Sequence, residues 1–351
     1  MADSPKTHRL AVEACTQFPD SGSLTIAKYL HREHPQHFPS TERARNAVRW
    51  VRGNMGGANR AKTTDKSLFR PNGKAGAVLL PDFIQEAQSP IQIDGPCRVG
   101  IVSDIHIPFA SKMAVELAVK HFRKAKIDEL LINGDLCDFH KGSRFEHSPD
   151  AMEMTEEMDQ TAKFLQWLRG QFPKIPIKLK PGNHDERWGK WLMAGGSVML
   201  AKEEGLSLES MLARRLDVLH GKPNGEKTDS LKTYGIEYVA ERRRVDVGKL
   251  PVYHGHELGI KSSVQPGRTV FLKTSHTCLI GHLHSTNTYV KPDMNHAETA
   301  CFSSGCLCEL SPRWLPVNNW NWGAVIVDVA SDNEFDVHNF RITADGKVRA
   351  S

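Results

Sequence analysis

Apolar residues in the first 53 positions recur three or four residues apart, which is the spacing of helices. The pattern predicts three short helices, each followed by helix-breaking residues at Pro19, at His34-Pro35 and at Gly53. Three helices of this size and order are typical of a helix-turn-helix unit, whose last helix enters the major groove of DNA. Any small three-helix bundle gives the same pattern, so the spacing alone leaves DNA contact open.

The third predicted helix is rich in arginine. Its apolar stripe leaves four basic side chains on other faces, and these are candidate nucleic-acid contacts: Arg43, Arg45, Arg49 and Arg52. Residues 1–75 hold 13 Lys and Arg against 6 Asp and Glu, whereas the whole chain has a net charge of +5, so the positive excess lies at the N-terminus. A basic unit of this kind attracts a polyanion such as DNA. Binding of a protein partner, self-association and a solvated basic face are the alternatives.

The pattern changes after this unit. Residues 54–95 mix Gly, Asn, Lys and Thr with little periodicity, which predicts a linker between a helical domain at 1–53 and a larger domain at 96–351. In the larger domain, short apolar runs such as Val99–Val102 and Leu130–Ile132 each end in a polar cluster, and segments with helical spacing lie between them. Alternating strands and helices predict an α/β domain, in which ligands bind beyond the carboxyl ends of the strands.

The composition is that of an ordinary globular protein, with 39% apolar and 25% charged residues. No apolar run approaches the roughly 18 residues of a membrane span, and the polar N-terminus lacks the apolar stretch of a secretory signal. The seven scattered cysteines do not form a disulfide framework. We therefore expect a cytoplasmic protein of a bacterial or phage-infected cell, without membrane association, and the oligomeric state stays open.

The polar clusters carry the candidate chemistry. Five of them follow or end apolar runs: Asp104-Ile105-His106, Gly134-Asp135-Leu136-Cys137-Asp138, Gly182-Asn183-His184-Asp185, His254-Gly255-His256 and Gly281-His282-Leu283-His284. Side chains two residues apart on an extended segment point to the same side, so each cluster can present its polar groups together. Mixed carboxylate, imidazole and amide ligands suit borderline divalent ions such as Mn, Fe, Zn, Co or Ni. The sequence therefore predicts a metal site.

This ordered series resembles the calcineurin-like metallophosphoesterase superfamily over about Val99 to His284. The resemblance implies an α/β fold of four layers, a sandwich of two mixed β-sheets flanked by helices, to which the N-terminal helices add a small all-α domain. It also implies two divalent ions at the sheet edges, manganese first, with Fe, Zn, Ni or Co as alternatives. The expected chemistry is hydrolysis of a phosphate ester by metal-activated water.

The family pattern assigns candidate roles residue by residue. One ion would be held by Asp104, His106, Asp135 and His284, and the other by Asp135, Asn183, His254 and His282. His184 resembles the catalytic histidine of the family, with Asp185 expected to orient it. Three further residues are expected to support the site or to face the substrate: Asp138, His256 and Arg187.

The substrate is the more open part of the prediction. Protein Ser/Thr phosphatases of the superfamily have Arg-Gly and Glu where this chain has Phe139-His140 and Asp185, which disfavours that class. The Gly-His-x-His ending and the basic N-terminal unit favour a phosphodiesterase that cleaves DNA, a nuclease of phage or mobile-element origin. The alternatives are an enzyme acting on nucleotides or other small phosphate esters and, in another class, a DNA-binding protein with a degenerate metal site.

Overall fold

The computed structural model describes residues 5–63, 65–69, 89–143, 150–194, 203–222, 228–240 and 242–350. The chain divides into two compact units, Met1–Glu86 and Ala87–Ser351. Residues 70–88, which belong to the segment predicted as a linker, lie outside the described residues.

The first unit contains four helices: α1 (Pro5–Gln17), α2 (Ser23–Glu33), α3 (Thr41–Val51) and the short α4 (Gly57–Lys62). The apolar stripes of α1 to α3 meet in one small core that includes Ala14, Leu30 and Val48. Ser40 caps α3, since its side chain accepts a hydrogen bond from the backbone N–H of Arg43. The helix α4 lies within the predicted linker, so part of that linker is ordered.

The position of Arg52 contradicts its predicted role as a nucleic-acid contact. Its side chain is buried, and its guanidinium donates hydrogen bonds to the backbone carbonyls of Phe18, Pro19 and Ser21. Arg52 caps the end of α3 rather than continuing its helical faces, so its side chain turns back onto the loop between α1 and α2. It stabilises that loop and is not at the surface as a nucleic-acid contact.

The second unit is built on two β-sheets. Its strands are β1 (Ile91–Ile93), β2 (Cys97–Val102), β3 (Glu129–Asn133), β4 (Ile177–Lys180), β5 (Ile236–Tyr238), β6 (Val245–Val247), β7 (Leu250–Tyr253), β8 (Cys278–Ile280), β9 (Asn287–Pro292), β10 (Glu298–Ser303), β11 (Trp322–Val329), β12 (Phe335–Ile342) and β13 (Val348–Ala350). One sheet has the order β13-β12-β11-β2-β3-β4-β5 and the other β1-β6-β7-β8-β10-β9. Both mix parallel and antiparallel pairs. The strand β1 pairs with β6 and is a second ordered part of the predicted linker.

In the described part of this unit, five helices accompany the sheets: α5 (Lys112–Ala125), α6 (Met154–Gln171), α7 (Arg187–Ala194), α8 (Leu208–Leu219) and α9 (Pro266–Thr274). Alternation along β2 shows how the layers form, because Val99 and Ile101 point into the core between the two sheets, while Val102 joins the core beneath the helices. On the far side, Val270 of α9 packs against Ile280 of β8. Helices, sheet, sheet and helix form four layers, which confirms the predicted fold class.

The order of the strands sets the place of the candidate site. Strands β2, β3 and β4 are parallel neighbours in one sheet, and β7 and β8 are parallel neighbours in the other. Parallel neighbours end at the same edge, so the five polar clusters that follow these strands gather at one end of the sandwich.

The buried carboxyl group of Glu157 on α6 makes the stability of the protein depend on pH. This side chain is buried beside Asp138, and burial, followed by the charge of Asp138, raises the pKa of Glu157 to about 8 despite a hydrogen bond from the backbone of Phe139. The folded state therefore retains a proton that the unfolded chain releases above its ordinary pKa of 4.5. The contribution of this group to stability is complete below pH 4.5 and declines as pH rises to about 8.

We expect Glu157→Gln to gain stability relative to the wild type over that interval, by up to about 1.4 kcal/mol per pH unit. Chemical denaturation at several pH values measures the difference, with the exposed Glu116→Gln as the control for loss of a carboxylate. A difference that does not change with pH would show that Glu157 is ionised in the folded protein.

Candidate metal centre and active site

The first group of candidate ligands comes from both sheets. Asp104 and His106 follow β2, and His284 follows β8. The Nε2 atom of His284 lies 3.2 Å from Oδ1 of Asp104 and 3.1 Å from Nε2 of His106. One ligand atom from each of the three lies within 4.8 Å of the others, which suits coordination of one ion.

The second group lies next to the first and consists of Asp135, His254 and His282, whose ligand atoms also lie within 4.8 Å of one another. Oδ2 of Asp135 is 3.2 Å from Nε2 of His254 and 3.7 Å from Nε2 of His106. Asp135 therefore lies between the two groups, in the place where a carboxylate could bridge two ions.

The backbone of these loops is tightly turned. Five candidate ligands have positive φ angles: Asp104 (58°), His106 (50°), Asp135 (53°), His282 (67°) and His284 (54°). This left-handed region is uncommon for residues other than glycine and costs of order 1–3 kcal/mol for each residue. The turns direct neighbouring ligands into one small volume, so the strain is concentrated where the side chains converge.

Two glycines permit this close approach. A Cβ atom at Gly182 would lie 2.2 Å from Oδ1 of Asp135, and one at Gly134 would lie 2.3 Å from Nδ1 of His254. Any side chain at these positions would displace a candidate ligand, so the sequence requires glycine there.

Hydrogen bonds fix which nitrogen each histidine presents. Nδ1 of His254 donates to the carbonyl of Asn133 at 2.8 Å, and Nε2 of His282 donates to the carbonyl of Ile260 at 2.9 Å. Nδ1 of His106 lies 2.9 Å from Oδ1 of Asp138. The opposite nitrogen of each ring is directed into the site, which is the orientation that ligand histidines require.

The donor set fits divalent cations. Three buried atoms of candidate ligands have no hydrogen-bond partner among the described residues: Oδ1 of Asp104, Oδ1 of Asn183 and Nε2 of His254. A buried polar atom without a partner costs about 1–3 kcal/mol, so a bound ligand is the expected partner. All three are atoms that coordinate borderline metal ions.

Electrostatics favour the same conclusion. Burial opposes a negative charge on Asp135, but His254 and His184 outweigh burial and hold the pKa of Asp135 well below its usual range. Burial opposes a positive charge on His254, but Asp135 outweighs it and raises the pKa of His254 to about 10. Asp104 likewise outweighs burial and raises the pKa of His284 to about 9. The carboxylates thus make this volume attractive to positive charge.

The surroundings of His184 correct the expected role of Asp185. The carboxylate of Asp185 accepts backbone N–H groups of Leu136, Cys137 and Gly182, which joins the loops after β3 and β4. The Nδ1 atom of His184 instead lies 3.0 Å from Oδ1 of Asp138 and 2.9 Å from the Asp138 carbonyl. Asp138, and not Asp185, orients the imidazole.

Arg187 lies on the other side of this histidine. Its guanidinium donates to the carbonyl of Asp138 at 2.8 Å and to Nε2 of His184 at 3.0 Å. Because Nε2 accepts this bond, the proton of the neutral ring is on Nδ1. His184 and Arg187 are thus held as a pair at the wall of the site.

His256 lies beside the candidate ligand His254, with 5.4 Å between ring centroids, and pairs with a carboxylate. Its Nε2 atom lies 3.0 Å from Oε1 of Glu186, which also accepts the guanidinium of Arg242. Nearby, the buried ammonium of Lys180 pairs with Glu257, and Glu257 accepts the backbone N–H of Gly255. The sequence analysis missed the pairs His256–Glu186, Arg242–Glu186 and Lys180–Glu257, since no local signal pairs residues so far apart in the chain.

Cys306 and Cys308 lie behind His284, and one ligand atom from each of the three is within 4.8 Å of the others. The sulfur of Cys308 is 3.8 Å from Nδ1 of His284, on the side of the ring opposite Asp104. The thiols thus contact the back of the imidazole, while its Nε2 atom faces the carboxylate.

These groups open into a cavity of about 690 Å³. Its floor is formed by candidate ligands, and its walls add residues to which the sequence analysis gave no role in the site, namely Lys261, His140, Trp314 and Trp320. Arg187 and Lys261 both carry positive charge to this cavity. It is therefore suited to an anion.

The arginines of α3 have separate surroundings in the first unit. Arg43 is exposed, Arg45 lies 3.6 Å from Glu42, and Arg49 donates to the carbonyl of Asn54. These three remain candidate contacts to an anionic partner, unlike the buried Arg52. Within the described ranges, no helix has the length and apolar character needed to cross a membrane.

Gly182→Ala tests whether the close approach is required for metal binding. We expect the methyl group to displace Asp135 and to weaken binding of Mn²⁺ by about 10- to 100-fold, the usual range for a change behind a ligand. Titration calorimetry measures the affinity. Gly189→Ala on α7 is the matched control because a Cβ there meets no atom within 4 Å. An unchanged affinity of Gly182→Ala for Mn²⁺ would show that Asp135 is not a metal ligand.

Comparisons with known proteins agree with the sequence motifs. The calcineurin-like phosphoesterase family matches residues 97–302, which is more than half of the chain. The gene 54 protein of Mycobacterium phage D29 is 22% identical over 194 residues, covering 53% of this chain and 69% of the phage protein.

The chain is also similar to solved structures at low identity. Vacuolar protein sorting 29 from Cryptosporidium parvum has 12% identity and a TM-score of 0.37, with 73% of this chain and 95% of that chain covered. Nuclease MPE from Pseudomonas putida has 15% identity and a TM-score of 0.29, with coverage of 65% and 83%. The family match spans both groups of candidate ligands, and the chain belongs to the calcineurin-like phosphoesterase family.

Proposed function

We propose that the protein is a phosphodiesterase that uses two divalent metal ions, with manganese the first candidate, and that its substrate is DNA. The observation that carries the proposal is one cavity lined by four candidate ligands, by His184 and by two cationic side chains; the four are His106, Asp135, His282 and His284. The seven proposed ligands are Asp104, His106, Asp135, Asn183, His254, His282 and His284. When bound, a pair of divalent ions neutralises phosphate charge and lowers the pKa of the attacking water.

The protein's own side chains bind and orient the ester. Arg187 and Lys261 border the ligand floor and can hold the non-bridging oxygens of a phosphodiester. The buried carboxylates of Asp135 and Asp138 line the same cavity, so the anionic substrate is bound only where positive charge offsets them. If Arg187 and Lys261 hold the phosphate against the candidate ligands, the phosphorus is already placed for attack by water, which lowers the entropic cost of the reaction.

The proposed role of His184 is to manage the proton of the leaving oxygen. Asp138 holds its Nδ1–H, and Arg187 occupies Nε2 at 3.0 Å. In the neutral ring Nε2 carries no proton, so it can protonate the leaving oxygen only after Arg187 turns its guanidinium to the phosphate and Nε2 takes up a proton from solvent. We infer that substrate binding separates this pair, since a phosphate oxygen is a stronger acceptor for arginine than a neutral imidazole.

Positive charge in the first unit supports DNA as the substrate. Three arginines on α3 remain at or near the surface, and contacts of this kind supply the salt-dependent part of DNA affinity. A nuclease of phage or mobile-element origin is consistent with this composition. The cavity volume of about 690 Å³ supports a second candidate, hydrolysis of nucleotides or other small diesters, because small-molecule sites span about 300–1,000 Å³. A DNA-binding protein with a degenerate metal site is disfavoured by the full set of ligands.

Hydrolysis assays with Mn²⁺ test the proposal. We expect the wild type to cleave bis-p-nitrophenyl phosphate and labelled DNA, and Asp135→Asn and His184→Ala to lose at least about 100-fold of each activity, as for removal of an acid–base group. His296→Ala, an exposed histidine, is the matched control. Cleavage of the small diester without cleavage of DNA would favour the second candidate, and an inactive wild type would contradict both.

The first unit is tested by replacing Arg43, Arg45 and Arg49 together with alanine in the full chain. We expect weaker DNA binding. The slope of the logarithm of the binding constant against the logarithm of salt concentration is expected to fall in magnitude by about 0.9 for each DNA phosphate that the variant no longer neutralises. Hydrolysis of bis-p-nitrophenyl phosphate is expected to be unchanged. Arg9→Ala serves as the control, because Arg9 is an exposed arginine on α1 paired with Glu13. An unaltered salt slope would assign α3 to a role other than DNA binding.

A further inference from the structure

One wall of the cavity is apolar and aromatic. We call it the aromatic wall; it consists of Phe109, Trp314, Leu315 and Trp320. Trp314 is 49% exposed and Leu315 is 42% exposed, so large apolar side chains stand open to solvent beside a charged site. An exposed apolar surface in such a place marks a region where a ligand is bound.

The aromatic wall directly adjoins the ligand floor. The ring of Trp320 lies 4.1 Å from that of His284, measured between centroids. The ring of Trp314 is stacked on His140 at 5.3 Å, and Nδ1 of His140 lies 3.9 Å from Oδ2 of Asp138. A substituent on a phosphate held at the floor would therefore reach the wall.

The wall is also held in place. Phe109 packs edge-to-face against Trp314, with 5.0 Å between centroids, and His140 supports the same indole. Because its neighbours fix the ring, a planar group that stacks on it loses little further freedom of the protein. An aromatic surface and cationic side chains that line the same cavity match a ligand with a planar ring and a phosphate.

We propose that the aromatic wall is a nucleobase subsite, in which the base next to the scissile phosphate packs against Trp314. The inference rests on the proposed function and deepens it by naming the substrate class, a phosphodiester that carries a nucleoside. A base in a duplex is stacked and paired, so it reaches such a wall only after leaving the helix. The preferred substrate is therefore a single strand, an unpaired end or a short nucleotide diester.

Equilibrium binding tests the subsite without hydrolysis. Full-length protein loaded with Mn²⁺ is titrated by calorimetry with thymidine 5′-monophosphate and, separately, with 2-deoxyribose 5-phosphate, which lacks the base. We expect the wild type to bind the nucleotide about 5- to 150-fold more tightly, the range that corresponds to stacking of one base on an aromatic side chain.

Variants of Trp314 test whether this residue causes the preference for the nucleotide over 2-deoxyribose 5-phosphate. Trp314→Ala is expected to lose it while keeping the affinity for 2-deoxyribose 5-phosphate, which also shows that the variant is folded. Trp314→Phe retains most of the preference because it keeps a planar ring. Trp191→Ala is the matched control, a tryptophan 51% exposed on α7 that does not line this cavity.

Two results would overturn the subsite. One is equal affinity of the wild type for both ligands, and the other is a loss in Trp314→Ala that is the same for both. Failure of the proposed function is a separate result. If the protein cleaves no diester but still prefers the nucleotide, and this preference depends on Trp314, the proposed subsite is supported and the proposed hydrolysis is contradicted.

Discussion

The repulsion between buried carboxylates is the constraint on which the rest of the structure depends. Asp104 and Asp135 are almost fully buried at the edge of the sandwich, and each opposes the ionisation of the other. Histidines on the facing loops offset this repulsion, as the raised pKa values of His254 and His284 show. Without bound cations, protons must provide the compensating charge. The fold therefore holds an electrostatic arrangement that divalent ions complete.

The scaffold supplies the rigidity that this arrangement needs. Ligand residues in left-handed backbone conformations and glycines in contact with ligand side chains are unfavourable in isolation. They persist because the turns are continuous with strands whose apolar side chains fill the cores on both faces of each sheet. Backbone N–H groups that donate to Asp185 tie two of these turns together. Burial of apolar surface thus stabilises a strained polar edge.

The walls of the cavity decide what such a centre could act on. The floor recognises only phosphate and charge, which every phosphate ester shares. Arg187, Lys261 and the aromatic wall line the same cavity and would add selectivity for what is attached to the phosphate. The basic helical unit would act at longer range, because charge attracts a polyanion before any base is contacted. We thus propose different parts of the chain for chemistry, for base contact and for DNA affinity.

The sequence alone determined the candidate ligands and the strand ends that bear them, because the period of two and the glycine-rich turns are local properties. The four-layer arrangement followed from the resemblance of these motifs to a family. Only the tertiary structure decided that Asp138 rather than Asp185 orients His184, and that Arg52 is buried. Only the fold likewise placed Trp314 beside the floor of the site. These outcomes depend on contacts between residues 30 or more positions apart, whose geometry is set by packing and leaves no periodic signal in the chain.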